Sequence, residues 1–210
     1  MTDLRRRDFL RLCVAGVLGG SRAWAEDVGW VTMFDGKSLA GWKETGFSGQ
    51  GEVKVEEGRL VLGAGSDLTG VNAAGEIPRM NYEVELEAMR VAGGDFFCGL
   101  TFPYGGACCT FVIGGWGGGL VGLSSINGDD AAENETMRTM KLVSGRWYKV
   151  RVRVTPEKIE GWIDGEAVLE VATQGKKIAM RPGEIELSEP FGLATFRTTG
   201  AFRAVRLRRL

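Results

Sequence analysis

The stretch Arg146–Val171, RWYKVRVRVTPEKIEGWIDGEAVLEV, decides the fold. From Trp147 to Val154 apolar and charged residues alternate with period two, the pattern of a strand with one dry and one wet face. Thr155-Pro156-Glu157 then turns the chain into Lys158–Ile163. Asp164-Gly165, a pair suited to the positive φ of a tight reversal, turns it again into Ala167–Val171. Two tight turns joining three short strands make an antiparallel meander.

The same grammar extends in both directions. Glu52–Glu56 alternates, Glu57-Gly58 turns, and Arg59–Leu62 follows. Tyr82–Arg90 alternates with Tyr82, Val84, Leu86 and Ala88 on the buried side. Phe96–Phe102 and Cys108–Ile113 flank Pro103-Tyr104-Gly105-Gly106, and Leu120–Ile126 stops at Asn127-Gly128. Phe191–Phe196 and Ala201–Arg208 close the chain. Near the start, MFDGKSLAGW (Met33–Trp42) reads as a first hairpin around Asp35-Gly36. Turn signals recur every ~8–12 residues, and no segment after the leader holds a long helical period. The expected fold is all-β, a jelly-roll β-sandwich of two antiparallel sheets, with Trp42, Trp147 and Trp162 in its core.

The first 25 residues read as an export signal. Arg6-Arg7 is followed by Phe9-Leu10, an apolar run from Leu12 to Gly20, and small residues around Trp24 before Glu26. The run falls short of the ~20 residues that span a bilayer, and Cys13 lacks the small residue of a lipoprotein box. The expectation is a twin-arginine signal over 1–25, a single domain over 26–210, and a periplasmic or extracellular protein with no stable membrane anchor after signal removal. Removal takes away five arginines and two aspartates, leaving 21 basic and 25 acidic residues, a net charge of −4. That balance argues against a nucleic-acid partner. Cys98, Cys108 and Cys109 remain, either three buried thiols or one bridge and one thiol. The chain has no histidine, which excludes a Ser-His-Asp triad, a Cys-His dyad and a His-based zinc site.

Three phrases carry a family resemblance: MFDGKSLAGW at the start, Gly161-Trp162-Ile163-Asp164-Gly165 in the meander, and Phe202–Arg208 (FRAVRLR) at the end. They resemble LFNGKDLTGW, HWLNG and FRNIRI of the 3-keto-disaccharide hydrolase family. The resemblance implies a concanavalin-like sandwich and hydrolysis of 3-keto-glycosides. A C3 ketone acidifies the C2 hydrogen, a base removes it, the glycosidic oxygen leaves C1, and water adds back. The chain departs from the family where histidine is usual, carrying Gly161 and Thr198-Thr199-Gly200 instead. A lectin-like carbohydrate-binding domain without turnover is the alternative, and a structural module of the cell surface is a third reading.

The candidate site falls between Gly114 and Arg138. Trp116 stands among five glycines, where an exposed indole can stack on a sugar ring. The bland alternative is a glycine-rich turn whose tryptophan packs on its own sheet. Glu133 and Glu135, two apart, would point the same way from a strand and could divide acid and base roles. Two solvated glutamates are the competing reading. Asn127, Asp129, Asn134, Arg138 and Arg197 are candidate substrate contacts. The sequence demands no cofactor; calcium on Asn127, Asp129 and Asp130 is the metal open to an oxygen-only ligand set, against an ordinary acidic loop. Replacing Arg6 and Arg7 together by lysine should hold the precursor in the cytoplasm, as read by cell fractionation and precursor size; normal export of the double variant would remove the twin-arginine assignment.

Overall fold

The computed structural model describes residues 29–210, so the twin-arginine segment and its cleavage site lie outside the described residues. Fifteen strands follow one another: β1 (Val31–Thr32), β2 (Trp42–Glu44), β3 (Val53–Glu56), β4 (Arg59–Leu62), β5 (Leu68–Ala73), β6 (Tyr82–Gly93), β7 (Cys98–Tyr104), β8 (Ala107–Gly114), β9 (Leu120–Ser124), β10 (Arg138–Thr139), β11 (Trp147–Val154), β12 (Lys158–Ile163), β13 (Glu166–Ala172), β14 (Gly192–Phe196) and β15 (Thr198–Arg209). They form two antiparallel sheets. One runs β13-β12-β11-β6-β15-β4-β3, with β1 also paired to β15; the other runs β10-β9-β8-β7-β14-β5-β2. The jelly-roll sandwich expected from the alternation is the fold observed.

The core lies between the sheets. Tyr82, Val84, Leu86 and Ala88 of β6 meet Leu100, Phe102, Phe111, Ile113 and Leu123 of the opposite sheet, all fully buried. The position where the family phrase has histidine is a packing position here. A Cβ on Gly161 would stand 3.0 Å from Leu169 and 3.2 Å from the Phe111 ring, between the sheets. Cys98, Cys108 and Cys109 are buried free thiols. Burial pushes Cys108 up to about 11 and Cys109 to about 12, with Cys98 higher still.

Two expectations need correction. MFDGKSLAGW is not a hairpin: β1 joins β15 in one sheet and β2 joins β5 in the other, so the segment crosses the sandwich. Its turn forms as expected, with Asp35 Oδ1 accepting the backbone N–H groups of Lys37 (2.7 Å) and Ser38 (2.9 Å). Trp42 is buried and its Nε1 donates to the Met33 carbonyl at 2.8 Å. Trp147 and Trp162, however, lie half-buried on the outer face, under the guanidinium groups of Arg203 (4.2 Å) and Arg151 (4.1 Å).

Those stacks belong to a charged lattice set by register. Glu83, Glu85 and Glu87 alternate on the outer face of central β6, directly opposite Arg153, Arg151 and Lys149 of β11 and Arg208, Arg206 and Arg203 of β15. Opposite charges across a ladder stabilise that pairing and oppose a slip. Glu83 is wholly buried, receiving Arg153 Nε and Arg208 Nε at 2.6 Å each. Burial disfavours its charge, but the two arginines outweigh this and hold its carboxyl below the usual value.

A depressed folded pKa gives stability that is present above the unfolded value of ~4.3 and is lost as pH falls through the lower folded value. Glu83→Gln should therefore destabilise the protein by about 2 kcal/mol at pH 7. Urea titrations at pH 7 and pH 3 should show the gap to wild type shrinking in acid; a constant gap would locate the loss in packing rather than charge.

Candidate active site

The outer face of the second sheet carries a cavity of about 220 Å³. Its floor is Thr110 and Val112 of β8, Ser124 of β9, Leu68 of β5 and Phe196 of β14. Trp116, Asp130 and the segment Arg181–Ile185 rise around it. A second hollow of about 230 Å³, walled by Asp95, Phe96 and Phe196, adjoins it across Trp116 and Arg181.

Trp116 owes its position to an unusual turn between β8 and β9. Gly114, Trp116, Gly117 and Gly118 all have positive φ, at 82°, 46°, 86° and 102°. Left-handed backbone is cheap for glycine and strained for tryptophan, so the glycines carry most of the reversal. Arg90 fastens it. Arg90 occupies the next inward position of β6 after Ala88 and is itself buried. Its guanidinium donates to the carbonyls of Gly118 at 2.6 Å, Gly114 at 3.4 Å and Leu142 at 3.2 Å. It also lies 5.0 Å from the Phe97 ring centroid. Desolvation works against this buried cation and lowers its pKa. Asp95 adds a second tie, its Oδ2 accepting the Gly117 N–H at 3.4 Å. The indole so held is 46 % exposed.

The wall opposite comes from a distant part of the chain. Arg181 Nη1 pairs with Asp130 Oδ2 at 2.7 Å, and its guanidinium stands 6.0 Å from the Trp116 ring. The other oxygen of Asp130 accepts the Ser124 hydroxyl and the Ala131 N–H. Pro182 and Gly183 then lead into a short 3₁₀ turn, Glu184–Ser188. Glu184 lines the cavity and makes no side-chain hydrogen bond or ion pair among the described residues. Asn72 secures the far end of this segment, donating to the carbonyls of Leu187 (2.7 Å) and Glu189 (3.1 Å).

The structure places the sequence-selected residues as follows. Trp116 lines the cavity. Glu133 and Glu135 do not; they lie in a turn rather than on a strand, so the period-two argument for a shared direction does not apply. Glu135 pairs with Lys176, and Glu133 is exposed. Asn134 has both ends engaged, donating to Leu123 O (2.7 Å) and accepting from Thr136 N (3.0 Å). Asn127 Oδ1 accepts the Lys177 N–H at 2.8 Å. Asn127 and Glu135 thus hold Lys177 and Lys176, just ahead of the Arg181 segment. The Asp129 carbonyl accepts from Asn134 Nδ2, and Arg138 is exposed on edge strand β10. Arg197 pairs with Asp67 at 2.7 Å and stacks 5.0 Å from Phe196, behind the cavity wall. Of the oxygens considered for calcium, Asn127 Oδ1 accepts from Lys177 and the Asp130 carboxylate holds Ser124 and Arg181, and no group of three or more Cys, Asp or Glu side chains converges among the described residues.

The sequence reading missed Arg181, Glu184, Phe96 and Phe196. Its one available signal was Arg181-Pro182-Gly183-Glu184, a turn with a charge at each end.

Comparison with known proteins gives this geometry a family. The family model described as the 3-keto-alpha-glucoside-1,2-lyase-like domain matches residues 29–208. The chain belongs to that family. No match is found among curated proteins. Among solved structures, a candidate glycosyl hydrolase from Parabacteroides distasonis shares the fold at 15% identity, covering 87% of this chain and 94% of that one, with a TM-score of 0.53. The carbohydrate-binding module CBM66 from Bacillus subtilis does so at 11% identity, over 80% and 95%, with a TM-score of 0.55. A glycosyl hydrolase family 16 protein from Mycobacterium smegmatis does so at 12%, over 86% and 99%, with a TM-score of 0.52. Such likeness shows the sandwich alone.

Arg90→Met should release the Trp116 turn while leaving the sheets folded. Acrylamide quenching of Trp116 emission, isolated against a Trp116→Phe control, should rise within the room left by its present 46 % exposure, and Arg90→Lys should restore part of the protection. Unchanged quenching in Arg90→Met would mean that the glycines alone set the turn.

Proposed function

We propose that this is an exported carbohydrate-active enzyme that cleaves 3-keto-glycosides by elimination across C1 and C2. One observation carries the reading: within the cavity, Glu184 is the free carboxylate, whereas both oxygens of Asp130 are engaged. Hydrolysis by direct attack at C1 calls for two working carboxyl groups. Elimination from a 3-keto sugar calls for one base, because the ketone has already acidified the C2 hydrogen.

In this mechanism the sugar lies against the Trp116 indole. Glu184 removes the C2 proton, and the electron pair moves onto the C3 oxygen as an enolate. In this reading the Arg181 guanidinium, held by Asp130, stabilises that oxygen. The pair then returns to form the C1–C2 double bond while the C1–O bond breaks. The departing oxygen keeps the bonding electrons and takes a proton from Glu184 or water. Addition of water across the double bond completes net hydrolysis. The family description supports the 3-keto substrate, and the resemblance in the opening, meander and closing phrases supports it independently of the cavity.

The second reading, a binding domain without turnover, draws on Glu184 being the single free carboxylate among the described residues that line the cavity, and on the likeness to a carbohydrate-binding module. Incubation with 3-keto-trehalose and 3-keto-glucosides distinguishes the two. Wild type should release free sugar or aglycone. Glu184→Gln should lower kcat by roughly 10²–10⁴ with binding retained, and Trp116→Ala should abolish binding. Glu133→Gln should match wild type. Full activity of Glu184→Gln would remove the assigned base, and binding without release from any substrate would favour the lectin-like reading.

A further inference from the structure

The cavity is chemically lopsided, and the order of strands makes it so. Ser124, with its partners Asp130 and Arg181, stands over β9. Leu68 and Phe196 stand over β5 and β14. In the sheet order β9-β8-β7-β14-β5, four strand spacings separate the extremes, roughly 19 Å at ~4.8 Å per strand. The β9 end offers hydroxyl, carboxylate and guanidinium groups. At the other end Phe96, Phe196, Leu68 and Ile185 form one apolar cluster backed by Phe47 and Ala194. The Phe96 and Phe196 rings stack at 5.8 Å with 26° between planes. Arg197, on the outside of that stack, is held by Asp67. Asp95, in the adjoining hollow, accepts the Phe96 N–H at Oδ1 (2.7 Å) and the Gly117 N–H at Oδ2.

A second sugar ring laid on this apolar cluster would turn hydroxyls toward the Phe96, Phe196, Leu68 and Ile185 side chains, a loss of about 1–3 kcal/mol for each group left unpaired. An aromatic group would instead add to an existing stack. We infer that the site takes amphipathic glycosides, with the sugar between Trp116, Arg181 and Glu184 and an aromatic aglycone against Phe96, Phe196 and Ile185. This inference rests on the proposed function for the sugar end, but its apolar end stands on its own geometry.

Calorimetric titration of the purified protein with phenyl glucoside, methyl glucoside of the same anomeric form, and trehalose tests it. Phenyl glucoside should bind about tenfold or more tighter than methyl glucoside, and trehalose no tighter than methyl glucoside. Phe196→Ser should erase the preference, weakening phenyl glucoside binding far more than methyl glucoside binding. Ile185→Ser, on the surface segment, should do the same and serves if melting shows Phe196→Ser to be misfolded. Equal affinities, tighter binding of trehalose, or no binding of any of the three would overturn the inference. Parallel assays with the phenyl and methyl 3-keto-glucosides separate the two claims. Phenyl-selective binding without turnover sinks the enzymatic reading alone, whereas turnover of both with equal KM sinks the aromatic aglycone alone.

Discussion

A buried guanidinium ties the sandwich to its site. Arg90 follows four apolar residues on the inward face of β6, at a position where the pattern calls for another hydrophobe. A charge there is tolerable only because backbone carbonyls surround it, two of them from the turn that carries Trp116. The cost of burying the cation and the strain of a left-handed tryptophan are thus met by the same few hydrogen bonds. Strand β6 lies in one sheet and the turn joins two strands of the other. The indole is consequently positioned by the packing of the whole domain rather than by its own loop.

The fold was legible because most strands advertise their two faces. Trp147–Val154 and Lys158–Ile163 coincide with the observed strands, since charged residues on the outer face alternate with aliphatic ones facing the core. Segments buried on both sides were harder. Leu68–Ala73, LTGVNA, has every residue buried yet little hydrophobic contrast, and no strand was read there. The opening segment misled because an Asp-Gly turn is equally at home in a hairpin and in a crossover between sheets. Which of these it makes depends on partners more than a hundred residues away, Leu207 and Arg206.

The site was legible in part, for a related reason. Trp116 showed itself through its glycines, whose positive φ values are a local property. The carboxylates did not, because sequence spacing cannot tell a free acid from one already bound. Glu135, Asn134 and Asn127 are polar residues near Trp116 in the chain, and each is used to hold a loop. Glu184 and Arg181 arrive from some seventy residues downstream, brought to Trp116 by the Ile126–Ile178 bridge, the backbone hydrogen bonds between Ser125 and Ala179, and the Asp130 ion pair. Polar residues engaged in architecture and polar residues left for chemistry look alike until their partners are known.

The two outer faces of the sandwich are built from opposite materials. One is a lattice of glutamates and arginines laid over tryptophan rings; the other is an aromatic and aliphatic hollow roofed by a single peptide segment. Dissolved salt weakens exposed ion pairs while leaving apolar contacts intact or slightly stronger. Glu83 of the lattice is wholly buried and its pairs are shielded from that screening, whereas the Arg181–Asp130 pair has its arginine in solvent. Rising ionic strength would therefore act first on the segment over the cavity and last on the lattice behind it, which makes the mouth of the cavity the salt-sensitive part of the molecule.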